Sequence, residues 1–286
     1  MGYESYSQAN YAIRSSTANY SSKPPEQIFK QRRLHDAMSP YGVKIRESRD
    51  SEDHPNSVPI IFAMDVTGSA RDIPKNLVVT GLPTIMSNII EAGIPDPQLL
   101  FMGIGDHKCD DAPIQVSQFE SGDELLEKWL TSVWIEHGGG GNDGESYSLA
   151  HYFAAYHTAI DSFEKRGQKG FLFTIGDEPT HRDYLGQSIK NIFGVSEASD
   201  TTASELLAAA REKYEVYHFH LVEGSNGGNQ HVINGWKEVM GDHLILVPDY
   251  RDIPYMVAKI VYDSVSHRLG TDPFSTSENN SPVEML

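Results

Sequence analysis

From residue 58 onward the chain alternates between two apolar patterns. Short unbroken apolar runs at 58–64 (VPIIFAM), 99–104 and 171–175 have the length and composition of strands buried on both faces. Between such runs, apolar residues recur at helical spacing. Leu77, Val78, Leu82, Ile85 and Ile89 predict a helix over 74–92 that stops at Gly93. Leu125, Leu126, Trp129 and Leu130 share one side of a helix over 123–136. Further helices are predicted over 146–163, 204–214 and 253–266, further strands over 216–222 and Leu244–Val247, and 114–119 alternates like an edge strand. Strands alternating with helices predict an α/β fold. It is doubly wound, with a mainly parallel sheet, one antiparallel edge strand and helices on both faces. Such a fold gathers its ligand at the carboxyl ends of the strands, near the switch in strand order.

Residues 1–57 read differently. They are rich in Ser and Tyr (Tyr3, Tyr6, Tyr11, Tyr20, Tyr41) and nearly free of aliphatic clusters. Pro24-Pro25 opens a short helix predicted over 26–38, which holds the basic run KQRR. The expected organisation is an irregular N-terminal arm over 1–57, one α/β domain over 58–268 and a polar C-terminal tail over 269–286. By composition, residues 1–20 are expected to contribute little to the core.

Charge sharpens this division. The 286 residues carry 23 basic and 40 acidic side chains, net −17. The first 53 residues hold 8 and 7 of these, so the acidity belongs to the domain and not to the arm. An acidic body argues against nucleic acid and anionic membrane as partners and suits a cation or a basic partner. No apolar stretch approaches the ~20 residues of a membrane span, and the N-terminus has no signal-peptide pattern. The single cysteine, Cys109, excludes an intrachain disulfide framework and a cysteine-based zinc site. A cytoplasmic setting is expected.

Three strand tips concentrate the chemistry. Asp65, Thr67 and Ser69 follow the first buried strand. The Gly-rich segment 138–144 contains Asn142 and Asp143, and Asp177 follows the strand over 171–175. Carboxylates and hydroxyls converging without cysteine are hard oxygen ligands, which select Mg²⁺, Mn²⁺ or Ca²⁺ over softer ions. Alternatively, Thr67 and Ser69 cap the following helix.

These residues resemble the von Willebrand factor A (vWA) domain, a Rossmann-like family, over about residues 58–266. The family's metal-ion-dependent adhesion site (MIDAS) has Asp-x-Ser-x-Ser in its first loop, a Thr in a later loop and an Asp after a later strand. Asp65-x-Thr67-x-Ser69 matches the first element, with Thr in place of the first Ser, and Asp177 falls where the last Asp lies. The second loop departs from the pattern: no Thr is present, and Asn142 or Asp143 is the candidate. The resemblance implies Mg²⁺ held by Thr67 and Ser69 directly, and by Asp65 and Asp177 directly or through water. With Asp65, Asp143 and Asp177 together, a divalent ion no longer leaves a net positive site, so dependence on an acidic partner group is expected to weaken. The implied function is cation-dependent protein–protein interaction without catalysis. The expected setting is an intracellular adaptor or complex subunit, beside an AAA+ ATPase or within a multiprotein complex.

Two other readings follow from the same residues. One is a structural subunit whose arm threads into neighbours. The other is a metal-dependent hydrolase or phosphatase with Asp65 as nucleophile. Against the latter, Thr67 stands where a haloacid-dehalogenase-like enzyme needs a second Asp, and only Arg182 and Lys190 supply nearby cations. Asp106 either orients the ligand loop or is a plain loop carboxylate. Asp110 and Asp111 read as a solvated acidic loop, and Glu145 as a charge at a helix start. His107, His137 and His181 lie near strand tips without metal-ligand spacing and read as non-ligands. His218 and His220 read as core histidines, and Cys109 as a bystander.

Overall fold

The computed structural model describes residues 4–67, 72–94, 96–136 and 144–269. Six strands form the main sheet: β1 (Val58–Asp65), β2 (Pro97–Ile104), β3 (Ile114–Val116), β4 (Gly170–Gly176), β5 (Tyr214–Leu221) and β6 (Leu244–Val247). Their order is β6-β5-β4-β1-β2-β3. All neighbours are parallel except β3, which runs antiparallel to β2 at the edge. The expected α/β class, with its single antiparallel edge strand, is what the chain adopts.

The unbroken apolar runs follow from burial on both faces. Along β1, Ile60, Phe62 and Met64 enter one core, while Ile61 and Ala63 enter the other. The first core is closed by three helices: α2, which runs 72–91 with a π turn at Leu77–Gly81, α3 (Asp123–Thr131) and the C-terminal helix Ile253–Leu269. The second is closed by α4 (Tyr147–Tyr156), α6 (Gly186–Phe193), α7 (Ala203–Lys213) and α8 (Gln230–Met240). Among the described residues no helix is long and apolar enough to cross a membrane.

The structure corrects several boundaries. The helix expected over 146–163 is split into α4, a short strand Thr158–Ile160 and α5 (Asp161–Arg166). Thr158 ends α4 by donating its hydroxyl back to Ala154 O at 2.6 Å, and residues 158–160 pair in parallel with Arg46–Ser48. A strand partner 112 residues away in the chain overrides local helical spacing. The helix over 123–136 stops at Thr131 because the Gln115 side chain takes over the backbone of Trp134: Nε2 donates to its carbonyl at 2.7 Å and Oε1 accepts its N–H at 2.8 Å. The helix expected over 26–38 is reduced to Pro25–Ile28 and a 3-10 turn Asp36–Met38, which place Ile28, Phe29 and Met38 in the first core.

The expectation that residues 1–20 contribute little to the core is also corrected. They form helix α1, Gln8–Ala18, opened by Ser7 as N-cap. Tyr11 is 1% exposed within the first core, and its hydroxyl donates to Val78 O in the π turn of α2. Arg14 of the same helix pairs with Asp123 and Glu127 of α3.

Strand order reverses between β1 and β4, so the crevice beyond their carboxyl ends is the switch point. Met64 is in register with Ile175. Asp65, one residue further, and Asp177, two residues beyond Ile175, therefore both stand at this crevice.

Candidate metal centre

Asp65 is wholly buried at the end of β1. Its Oδ1 accepts the backbone N–H of Thr67 at 2.8 Å and the Thr67 hydroxyl at 2.7 Å. Its Oδ2 is buried without a hydrogen-bond partner among the described residues. Burial pushes the Asp65 carboxyl up to about 7 against those two hydrogen bonds, and the charges of Asp177 and Glu178 add to the rise.

Asp177 is 1% exposed, and its Oδ2 accepts the Asn226 N–H at 2.8 Å. The loop after β5 closes tightly over it: a Cβ on Gly224 would stand 2.4 Å from Asp177 Cγ, so only glycine fits there. Glu178, next in line, accepts from Asn226 Nδ2 at 2.8 Å and offers its carbonyl to Trp236 Nε1 at 2.9 Å. The expected placement of Asp65, Thr67 and Asp177 on one sheet edge is seen. Ser69, Asn142, Asp143 and His137 lie outside the described residues.

Glu145 joins this group. Its backbone N–H donates to Pro179 O at 2.8 Å, which sets it beside the loop that carries Asp177. It is 9% exposed, and its Oε2 is buried without a partner among the described residues. Burial, then the charges of Asp65, Asp110 and Asp106, push its carboxyl up to about 9. Tyr147, two residues on at the start of α4, is fully buried, its hydroxyl also unpartnered among the described residues. Its phenol is held well above the ordinary value by burial first, then by the charges of Asp65, Glu145, Asp177 and Glu178. Reading Glu145 as a helix-start charge missed its inward aim. Its position after a glycine run was the available signal.

Buried carboxylate oxygens without partners are costly unless a proton or a cation serves them. Two such atoms at one crevice, with the Thr67 hydroxyl beside them, fit a hard dication better than a helix cap. Capping of the following helix by Thr67 would give neither of these carboxylate oxygens a partner.

A second cluster lies at the tip of β2. Asp106 Oδ1 accepts the Lys108 N–H at 2.9 Å and lies 2.8 Å from His181 Nε2. His107 packs edge-on to His181 with ring centres 5.1 Å apart and stacks on Tyr184 at 4.9 Å. Burial, then His181, drives the His107 imidazole down to about 4, so it is neutral at physiological pH. His107 and His181, read from the sequence as non-ligands, both stand beside Asp106, at 3.8 and 2.8 Å. Asp110 is not merely solvated, since its Oδ2 accepts the Asp106 N–H at 2.7 Å. The exposed Cys109 thiol donates to Asp106 Oδ2 at 3.2 Å.

His218 and His220 are core histidines, as expected. Both are fully buried, with His218 stacked 3.5 Å from Trp236 and 2.9 Å from Thr174 Oγ1, and His220 Nε2 3.1 Å from Gly227 O.

No family model matches the chain, and no curated protein matches its sequence. Solved structures do. The pilus adhesin SpaC from Lactobacillus rhamnosus GG, in its open conformation, aligns with TM-score 0.50 at 10% identity, over 78% of this chain and 31% of SpaC. The chain thus spans about a third of that adhesin's length. The vWF domain of the type V pili tip protein Mfa5 from Porphyromonas gingivalis aligns with TM-score 0.46 at 9% identity, over 76% of this chain and 96% of that one. BatB from Bacteroides thetaiotaomicron aligns at 0.44 and 14%, over 73% and 99%. The strand order, the antiparallel edge strand and the crevice beyond β1 and β4 define a vWA-like fold.

Proposed function

We propose that this chain is a divalent-cation-dependent protein–protein interaction module. The observation that supports it best is the pair of buried, unserved carboxylate oxygens, Asp65 Oδ2 and Glu145 Oε2, at the switch-point crevice. Mg²⁺ is the proposed ion, held by Asp65, Thr67 and Asp177, with Ser69 and either Asn142 or Asp143. Glu145 adds a further carboxylate. Mn²⁺ or Ca²⁺ meets the same oxygen chemistry. The ion supplies one exchangeable coordination position, and the chain's own residues fix that position beside the loops after β1, β4 and β5. The three carboxylates of Asp65, Asp177 and Glu145 around one dication already leave the site negative. A neutral oxygen donor, such as a carbonyl or hydroxyl of the partner, therefore suits the open position better than a carboxylate.

The module is proposed to have no catalysis of its own. Thr67 occupies the place of a second nucleophile-flanking Asp, and Asp65 Oδ1 is already engaged by Thr67. The proposed setting is a cytoplasmic adaptor, with an AAA+ ATPase or another member of a multiprotein complex as partner. Helix α1 packs on its own domain through Tyr11 and Arg14, which favours an adaptor over a subunit whose arm threads into neighbours. SpaC is a pilus adhesin, and adhesion is the same kind of task, recognition of another molecule by a folded module.

The test is capture of partners from extract by the immobilised chain in millimolar Mg²⁺ and in EDTA. A partner retained in Mg²⁺, released by EDTA and lost with Asp65→Asn supports the reading. A partner retained equally in all three conditions overturns it.

A further inference from the structure

The cluster at the tip of β2 has a donor set unlike that of the carboxylate crevice. One oxygen of Asp106 and one nitrogen each of His107 and His181 lie within 4.8 Å of one another. Their side chains are 2%, 7% and 4% exposed. The Asp106 carboxylate already accepts the Lys108 N–H and the Cys109 thiol, yet two imidazoles also face it, from positions 74 residues apart.

The surroundings hold the rings in place. Ser146, fully buried, accepts the His107 N–H at 2.9 Å and sits 2.7 Å from His107 Nδ1. Tyr184 stacks on the same ring. These contacts fix the orientation of the His107 ring, whose Nδ1 stands 3.8 Å from Asp106 Oδ1. His181 and Lys108 also line a cleft of about 850 Å³ beside α8. Two imidazoles with one carboxylate are borderline ligands, suited to Zn²⁺ and poorly suited to Mg²⁺.

We infer that Asp106, His107 and His181 form a zinc site, distinct from the oxygen site at Asp65 and Asp177, with its fourth position open to the cleft. Without metal, the exposed Lys108 ammonium donates to His181 Nδ1 at 3.0 Å. The ring proton therefore sits on Nε2 and is donated to Asp106 Oδ1. Zinc takes that proton's place between Nε2 and Oδ1. The proton passes to Nδ1, and Lys108 turns into solvent. The inference does not rest on the proposed Mg²⁺ site.

The experiment is titration of the full chain with Zn²⁺ in excess Mg²⁺, read by calorimetry. Co²⁺ serves as a second probe, through its visible ligand-field bands. The expected result is one tight Zn²⁺ per chain and a Co²⁺ spectrum of low coordination number. His107→Gln and His181→Gln each weaken binding by more than the roughly 10–100-fold that loss of an outer partner costs. Asp65→Asn leaves zinc binding unchanged, and Lys108→Ala retains or tightens it. Circular dichroism shows whether each variant is folded, and Lys108→Ala reports on the site should a histidine variant unfold. No saturable Zn²⁺ binding by the wild type overturns the inference. Binding unaltered in both folded histidine variants overturns it too.

Discussion

The hydroxyl of Tyr147 occupies the space that a side chain at Gly176 would need. A Cβ built on Gly176 would come within 1.9 Å of Tyr147 Oη and 2.8 Å of Tyr147 Cζ. Gly176 is the last residue of β4, immediately before Asp177. The close approach sets the depth at which helix α4 meets the strand that carries the site.

Gly176→Ala is therefore expected to destabilise the fold. Overpacking of a tight core costs about 1–3 kcal/mol, and urea denaturation measures it. Tyr147→Phe removes the buried unpartnered hydroxyl and is expected to cost little by itself. In the double variant Tyr147→Phe, Gly176→Ala, part of the loss is recovered. Simple additivity of the two changes would mean that the contact does not limit the packing.

Tyr11 sets the weight of the N-terminal helix. Tyr11→Ala is expected to cost about 3–5 kcal/mol, as for other large buried aromatics. Tyr11→Phe is expected to cost about 1 kcal/mol through the lost hydrogen bond to Val78 O. Removing residues 1–20 should then lower the melting temperature by well over a few degrees. An unchanged melting temperature would show that the helix is dispensable to the domain.

These contacts mark what the sequence made legible and what it did not. Asp65 and Asp177 were readable because each ends an unbroken apolar run, and a parallel sheet brings such ends together. Tyr11 was not, because one aromatic among polar residues carries no periodic signal. The break in α4 was hidden because Thr158–Ile160 pairs with Arg46–Ser48, a contact no local pattern encodes. His181 reaches Asp106 through the loop after β4, and loop paths are fixed by tertiary hydrogen bonds such as His181 N–H to Glu145 O. Glu145 was undervalued for the same reason.

Stability of the ion-free chain should fall as pH rises from 7 to 9. The Glu145 carboxyl loses its proton near its ordinary 4.5 when unfolded, but near 9 when folded. Between those values the folded state binds the extra proton, so raising the pH favours unfolding. Asp65 acts in the same direction up to about 7. His107 and His151, held down to about 4 and 3, are neutral when folded; unfolded they keep a partial proton only near pH 7, so their small opposing contribution is gone by pH 8. Thermal melts in EDTA at pH 7, 8 and 9 measure the slope. Glu145→Gln should flatten it, and an equal slope in that variant would assign the proton elsewhere.

Asp65→Asn separates an ion site from a helix cap. The amide keeps an oxygen for the Thr67 N–H and hydroxyl but removes the charge facing Asp177 and Glu178. In EDTA at pH 8 the variant should melt no lower than the wild type, because the group it replaces is charged against its surroundings. The wild type should gain stability with Mg²⁺ by mass action, since the unfolded chain has no assembled site. At 100 times the dissociation constant this amounts to about 2.7 kcal/mol, or roughly 5–10 °C for a chain of this size. The variant should show no such gain, and the partner captured in Mg²⁺ should be lost. A wild type indifferent to Mg²⁺, Mn²⁺ and Ca²⁺ would leave Thr67 as a cap on the loop after β1 and Asp65 as its protonated support. The interface would then have to lie away from the crevice. The exposed Ile13 and the basic run of Arg32 and Arg33 on the N-terminal segment would be the next surface to mutate.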